Sequence, residues 1–223
     1  MKNATLKQAR KIIEVFEDTS LERVQDIVES GLLADIRDCD ISKVNRDEVR
    51  KVLGLEPLMP KPEPLLESLG TVVVPATTKK FVAKDRFVVD TSRKAKVKIS
   101  GLGDNFNDRF LNKTEEPISE TTLHYHKLRQ SSVDKPIIAE LGGEAKAETS
   151  LTEMFALMEL QGNGENGVML TNGYANIFYI RDVAGALCAV HAYWRGDGWR
   201  VAAYSVAGPD GWRGGRRVFS RNS

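Results

Sequence analysis

The chain has 223 residues, a formal net charge of +1, 41% apolar residues and 28% charged residues. This composition is typical of a globular protein that is long enough to bury its own core. No segment approaches the roughly 18 consecutive apolar residues of a membrane span, which excludes an integral helical membrane protein.

The cysteines and the N-terminus bear on the cellular compartment. Cys39 and Cys188 lie far apart in the sequence, which gives neither a disulfide framework nor the spacing of zinc ligands. The first residues, MKNATLKQARKIIEVF, carry charges throughout and lack the apolar core of a signal peptide. We therefore expect a cytoplasmic protein that does not associate with a membrane.

The charges are unevenly distributed along the chain. Residues 71–112 hold 9 basic and 4 acidic residues, and residues 174–223 hold 7 and 3. Residues 1–70 hold 11 and 14, and residues 113–173 hold 5 and 10. The basic blocks either face the acidic blocks inside one fold or form one surface that attracts anions.

Residues 1–55 are predicted to form a small helical module. Apolar residues recur at helical spacing, Ser20 is placed to cap one helix, and Asn45 is placed to cap the last. Gly31 and Gly54 are typical helix stops. The predicted inward positions are Leu6, Ala9, Ile13, Phe16, Leu21, Val24, Ile27, Val28, Val49, Val52 and Leu53.

Such a module resembles a DNA-reading helix-turn-helix, but its charges argue against that role. Residues 1–55 hold 10 basic and 11 acidic residues, and Asp35, Asp38 and Asp40 lie in or beside the candidate second helix, LLADIRDCD. The module is better interpreted as structural or as the binding site of a protein partner.

Residues 56–70 are predicted to be a proline-rich linker. Pro57, Pro60, Pro62 and Pro64 are half of the eight prolines in the chain, and such segments are extended and semi-rigid. The alternative is a proline-rich loop packed on one domain. We place the domain boundary here, with an α+β domain over residues 71–223.

Residues 71–112 are predicted to form strands. In KAKVKIS, Ala95, Val97 and Ile99 alternate with three lysines, which is the period of a half-buried strand. The lysine row either binds phosphates or protects an edge strand from aggregation. We interpret the following SGLGDN as a turn.

Two helices and an antiparallel β-meander complete the predicted α+β fold. The helices cover residues 134–141, capped by Asp134, and 150–161, which begin with a Ser150–Glu153 capping box. The meander turns at Asn172-Gly173, Asp182–Gly185, Gly196–Gly198 and Pro209–Gly211, and ends in an arginine-rich strand.

The segment HAYWRGDGWRVAAYSV fixes a hairpin register. A turn at Gly196-Asp197 pairs Trp194 with Trp199 and avoids opposing Arg195 and Arg200. One face then packs on the 150–161 helix: Phe178, Ile180, Cys188, Val190, Trp194, Trp199 and Val201. The other face, which we call the Tyr/Arg face, is either a binding surface or a covered packing surface: Ile177, Tyr179, Arg181, Leu187, His191, Tyr193, Arg200, Ala202 and Tyr204.

The C-terminal GWRGGRRVFSR adds further candidate ligand-binding residues, Arg213, Arg216 and Arg217. Its arginines, glycines and aromatic residues are typical of segments that contact single-stranded nucleic acid. The alternative is an edge strand protected by arginine.

His124 and His126 form a His-x-His pair whose rings would lie on one side of a strand. Such pairs bind zinc or iron when a third ligand is present, and His191 is the only other histidine. No third ligand is evident, so we predict no metal and no cofactor. The sequence shows no nucleophile motif or P-loop, which disfavours an enzyme.

Residues 81–223 resemble a set of uncharacterised bacterial proteins from uncultivated lineages with small genomes. The resemblance lies in FVAKDRFVVDTS, VKISGLGDNF, LTNGYANIFYI, GDGWRV and VFSRNS. It implies no fold, activity or site residue. From the residues alone, we expect a non-enzymatic binding protein for an anionic ligand or single-stranded nucleic acid. The alternatives are a structural protein-interaction module and a metal-dependent enzyme using His124 and His126.

Overall fold

A computed structural model describes residues 6–56, 63–208 and 211–221. The chain divides into two compact units, residues 1–61 and residues 62–223. The helices of the first unit are α1 (Leu6–Glu14), α2 (Leu21–Glu29), α3 (Leu32–Asp38), a 3-10 turn (Ile41–Lys43) and α4 (Arg46–Val52). Those of the second unit are α5 (Ala83–Arg86), α6 (Asp104–Phe110), α7 (Asp134–Glu140), α8 (Glu144–Ala147) and α9 (Leu151–Leu160).

The described strands all belong to the second unit. They are β1 (Leu66–Val74), β2 (Phe81–Val82), β3 (Ile99–Leu102), β4 (Thr114–Glu115), β5 (Thr121–Leu128), β6 (Asn176–Arg181), β7 (Leu187–Trp194), β8 (Trp199–Ser205) and β9 (Arg217–Ser220). Seven of them form a mixed sheet in the order β1-β5-β9-β6-β7-β8-β3, and β2 pairs with β4. The predicted α+β class is confirmed.

The first unit has the predicted helices and caps. The Ser20 hydroxyl accepts from the Arg23 amide, and the Asn45 side chain accepts from the amides of Asp47 and Glu48. Gly31 has the positive φ of a helix stop. Of the apolar positions expected to point inward, Phe16, Val24 and Ile27 are half-buried and the others that the structure describes are exposed. The helices α2, α3 and α4 contain no fully buried residue.

Both faces of the large sheet carry a core. Aromatic and aliphatic side chains of one face pack against α9 and α6, with Phe178 stacked on Phe219 at 4.5 Å between ring centroids. On the opposite face, Ile177, Leu187 and Val218 pack against Ile137 and Ile138 of α7. The sheet is therefore the middle layer of the second unit.

The predicted meander is only partly correct. β6, β7 and β8 are joined by hairpins, but β9 inserts between β5 and β6 and runs parallel to β6. No strand precedes Asn172-Gly173 directly, so this turn does not form a hairpin. Instead, the Asn176 side chain bonds the backbone of Leu170, which closes the turn. Pro209 and Asp210 of the last predicted turn lie outside the described residues.

The lysine-rich segment 94–98 is not a strand. It forms turns and bends, and the strand begins only at Ile99. The Lys98 amide donates to the Gly162 carbonyl at 2.8 Å, and the Lys98 carbonyl accepts from the Trp199 amide of β8 at 2.8 Å, so the segment meets the sheet only at its end. Apolar and lysine residues alternate in this sequence because Val97 and Ile99 are buried. The three lysines do not form a row along one edge of the sheet.

Two further predictions in this unit need correction. Residues 66–70, assigned to the linker, begin β1, because Leu66 is buried in the core beside Leu128. SGLGDN spans β3 and the start of α6, whose Phe106 and Phe110 are buried one turn apart. The remaining linker residues 57–62 lie outside the described residues.

The predicted helices of residues 134–141 and 150–161 are present as α7 and α9. The Ser150–Glu153 capping box is confirmed. Asp134, predicted to cap α7, is instead its first helical residue and caps nothing, because its side chain is turned into the protein interior.

No helix among the described residues is long and apolar enough to cross a bilayer.

Limited proteolysis should separate the two units. We expect a broad-specificity protease to leave a stable fragment that starts between residues 56 and 65, because the second unit has buried cores whereas α2–α4 bury no residue. Mass spectrometry of the digest gives the cleavage positions. A first stable fragment that begins inside the large sheet would contradict this boundary.

Candidate functional site

The β7–β8 hairpin has the register predicted from Gly196-Asp197. Trp194 pairs with Trp199, Ala192 pairs with Val201, and the Arg195 amide donates to the Gly198 carbonyl at 3.0 Å. Gly196 has a φ of 72°, which a side chain would oppose. Because the register is correct, the predicted division into two faces is correct as well.

The predicted core face packs as expected. Phe178, Val190 and Trp199 are buried in one cluster with Met154 and Leu157 of α9. Cys188 is also buried in this cluster. Burial raises the pKa of the Cys188 thiol, which makes it a poor nucleophile.

The inner half of the Tyr/Arg face is a packing surface. Tyr179 is fully buried, and its hydroxyl donates to Asp134 Oδ1 at 2.9 Å. Arg181 forms ion pairs with Glu144 and Glu148, both at 3.0 Å. These contacts occupy Tyr179 and Arg181, so neither is placed to contact a ligand as the sequence predicted.

The outer half of the same face forms an open cleft of about 450 Å³. We call it the Trp212 cleft. It is lined by Gly173, Ala175, His191, Tyr193, Tyr204, Gly211, Trp212 and Arg216. Its volume lies within the range of roughly 300–1,000 Å³ that is typical of small-molecule sites. Four of the residues predicted to bind a ligand meet here: His191, Tyr193, Tyr204 and Arg216.

The rings of the cleft contact one another. His191 stacks on Tyr204 at 4.9 Å and on Tyr193 at 6.0 Å between ring centroids. Trp212 meets His191 edge-on at 5.1 Å and lies 5.9 Å from Tyr204. Tyr204 is 43% exposed, so its ring is accessible to a ligand whereas the others form the wall behind it.

Trp212 is held in place by polar contacts. Its indole N–H donates to Asp134 Oδ1 at 2.7 Å, and its backbone pairs with that of Ser132. Sequence reasoning missed Trp212 because it lies between turns and outside any strand. The only available signal was a lone tryptophan beside an arginine-glycine segment.

His191 is almost entirely buried at the back of the cleft. It is 5% exposed, and its Nδ1 has no hydrogen-bond partner among the described residues. Burial lowers the pKa of His191 to about 4. The ring is therefore neutral at pH 7 and adds an aromatic surface without charge.

Arg216 supplies a cation to the lining of the cleft. Its Nη1 donates to the Arg213 carbonyl at 2.7 Å, and its guanidinium carbon lies 5.8 Å from the centre of the Tyr174 ring. Its buried Nε has no partner among the described residues. Burial lowers the pKa of Arg216, which means that the unpaired charge is costly to keep there without an anion.

The other predicted arginines lie outside the cleft. Arg200 is exposed on β8 opposite Tyr193, and Arg213 is exposed before β9. Arg217 donates to the Val168 carbonyl, and its guanidinium lies over Tyr125 on the other side of the sheet. Arg217 is therefore not placed to join the ligand-binding set predicted from the sequence.

The acidic block of residues 113–173 forms ion pairs with two basic residues of each basic block. Ion pairs join Lys80 to Glu116, Arg86 to Glu159, Arg181 to Glu144 and Glu148, and Arg221 to Glu153. These pairs compensate four of the sixteen basic residues of the two blocks. Lys94, Lys96, Arg200, Arg213 and Arg216 are among the described cations that form no ion pair, and of these five only Arg216 lines the Trp212 cleft.

His124 and His126 lie on the same side of β5, as predicted. His126 is buried with no partner for its Nε2 within the described chain, and burial lowers its pKa. The described residues contain no group of three or more histidine, cysteine or acidic side chains that could hold a metal ion.

No protein-family model, curated protein or solved structure matches this chain. The resemblance of residues 81–223 to uncharacterised bacterial proteins stays a prediction.

We expect the purified protein to carry no metal that contributes to its folding. Elemental analysis should find less than stoichiometric zinc and iron, and the chelator EDTA should leave the melting temperature unchanged. A stoichiometric metal that is lost in His124→Ala and His126→Ala variants would overturn this expectation.

The buried His191 should make folding sensitive to acid. Between pH 6.5 and pH 4, an unfolded histidine binds a proton that folded His191 does not, so the free energy of unfolding falls as the pH falls. The loss from this group is up to about 3 kcal/mol.

The variant His191→Phe keeps an aromatic ring and removes the titration. Urea unfolding at pH 7 and pH 4.5, followed by the fluorescence of the three tryptophans, should show a smaller pH effect in the variant than in the wild type. An identical pH effect in the two proteins would show that His191 titrates normally.

Proposed function

We propose that the second unit is a non-enzymatic binding module for single-stranded nucleic acid, and that the Trp212 cleft receives a base. The observation that carries the proposal is the placement of Arg216, with its buried unpaired Nε, in a cleft lined by tyrosine, tryptophan and histidine rings. This combination of a stacking surface and a cation is typical of single-strand binding proteins.

The aromatic part of the cleft is suited to a flat ligand. Tyr204 presents an accessible ring, and its neighbours His191 and Trp212 hold it at fixed ring distances of 4.9 and 5.9 Å. A ring that is already ordered loses little conformational entropy when a base stacks on it. Stacking also tolerates any base, which fits binding without sequence preference.

The charges favour an anion over a cation. The described lining residues include one arginine and no carboxylate, and Asp134 behind the wall already accepts from Tyr179 and Trp212. A phosphate would give the Arg216 guanidinium an anionic partner, which no described carboxylate supplies. Arg200, which pairs with Tyr193 across the strands, and Arg213, which follows Trp212 directly, are exposed and available to adjacent phosphates.

We also propose that the protein works in the cytoplasm. Both cysteines are free, with Cys39 exposed and Cys188 buried, and such an exposed thiol suits a reducing compartment.

Fluorescence anisotropy with a labelled oligonucleotide tests the proposed function. We expect Tyr204→Ala to weaken binding by roughly 5- to 150-fold, the equivalent of about 1–3 kcal/mol for one lost stacking contact. Tyr204→Phe keeps the ring and should bind like the wild type. Arg216→Ala should weaken binding and lower the salt slope by about 0.7 for each lost phosphate contact.

Arg93→Ala is the matched control, because Arg93 is exposed in the same unit but does not line the cleft. Tyr193→Ala and Arg200→Ala should have smaller effects, because Tyr193 is half-buried against His191 and Arg200 lies outside the cleft. Thermal melts must show that each variant folds. No binding by the wild type at low salt would refute the proposal.

A further inference from the structure

The first unit exposes the apolar sides of its helices. Its described helices and turns leave large apolar side chains uncovered, and α2, α3 and α4 bury no residue. The exposed residues are Leu6, Ile13, Val15, Leu21, Val28, Leu32, Leu33, Ile36, Ile41, Val44, Val49, Val52, Leu53 and Leu55. Large apolar patches on a protein surface commonly mark interaction sites.

The lengths of these helices make the exposure significant. α1 and α2 have nine residues each, and α3 and α4 have seven each. Helices shorter than about 12–15 residues are marginal in water unless an apolar side is packed against another surface. The first unit therefore needs a covering surface to be stable.

An apolar groove of about 640 Å³ lies between α3, the 3-10 turn and α4. Leu32 and Ile36 line it from α3, and Val49 and Leu53 line it from α4 and its C-terminal end. We call it the α3–α4 groove. Its floor is formed by side chains at helical spacing, so it is an unpaired helix-packing surface.

The rim of the α3–α4 groove carries both signs of charge. Asp35 and Glu48 are acidic, and Lys43 and Arg46 are basic. In a symmetric dimer the same patch meets itself across a two-fold axis. A rim of one sign would repel its own copy, whereas a mixed rim can pair with it.

We propose that the α3–α4 groove is a homodimer interface, covered by the same groove of a second copy of this chain. The charge of the module favours a copy over a strongly charged partner, because residues 1–55 hold 10 basic and 11 acidic residues. The nearly balanced charge of this module does not provide long-range attraction for either a basic or an acidic partner. A second copy is also present wherever the protein is.

Sedimentation equilibrium of the full chain over a range of concentrations tests the oligomeric state. We expect a dimer for the wild type. Val49→Lys and Ile36→Lys, placed in α4 and α3, should each raise the dimer dissociation constant by at least about tenfold, because each buries a charge and brings it towards its own copy.

Val183→Lys is the matched control, since Val183 is an exposed apolar residue of the second unit. It should leave the dimer unchanged. Circular dichroism must show the same helix content in all variants at concentrations at which the control is dimeric. A wild type that stays monomeric at all concentrations would overturn the proposal and leave a different protein as the occupant of the groove. A dimer that neither lysine substitution weakens would overturn it as well.

Cys39 gives a second, independent readout of the interface. It lines the groove and is exposed, whereas Cys188 is buried, so a bismaleimide cross-linker should join two chains through Cys39 alone. Cys39→Ser should abolish the cross-linked dimer, and Val49→Lys should reduce it. Cross-linking that is equally strong in Cys39→Ser or Val49→Lys would place the contact elsewhere.

Discussion

The carboxylate of Asp134 is the contact on which the Tyr/Arg face depends. Asp134 is only 3% exposed, and burial raises its pKa, because water is excluded from a group that would otherwise be hydrated. Its Oδ1 accepts from Tyr179 of β6 and from Trp212. One acceptor therefore joins the start of α7, the centre of the sheet and the wall of the cleft. Loss of this carboxylate would leave two buried donors unpaired, at about 1–3 kcal/mol each.

One face of the sheet is core at its centre and open where the Trp212 cleft lies. Seven residues of helix extend about 10 Å, so α7 is short beside a sheet of seven strands that lie about 4.8 Å apart. Ile137 and Ile138 pack with Ile177, Leu187 and Val218, whereas neither Tyr193 nor Tyr204 belongs to that cluster. A helix this short leaves part of the face uncovered, and the cleft occupies that part.

Local patterns were predictable from the sequence, and non-local pairings were not. The hairpin register followed from Gly196-Asp197, because side-chain alternation and turn chemistry act within a few residues. The parallel pairing of β9 with β6 depends on chain segments some 40 residues apart, for which the sequence carries no signal. For the same reason, only the part of the Trp212 cleft that lies on strands could be predicted from the sequence. His191 and Tyr204 lie on strands with a known alternation, whereas Trp212 is positioned by Asp134, which is distant in sequence.

The distribution of ion pairs, more than the net charge, determines where an anion would bind. With a net charge of +1, the chain attracts a polyanion only weakly over distances beyond the Debye length of about 10 Å. Glu144, Glu148 and Glu153 neutralise Arg181 and Arg221, which removes these cations from any binding surface. The cations that remain near the Trp212 cleft are few, so release of counterions would contribute little to binding. Most of the affinity must then come from stacking on an ordered ring, which makes Tyr204, and the Asp134 contact that fixes Trp212 beside it, more important than any single arginine.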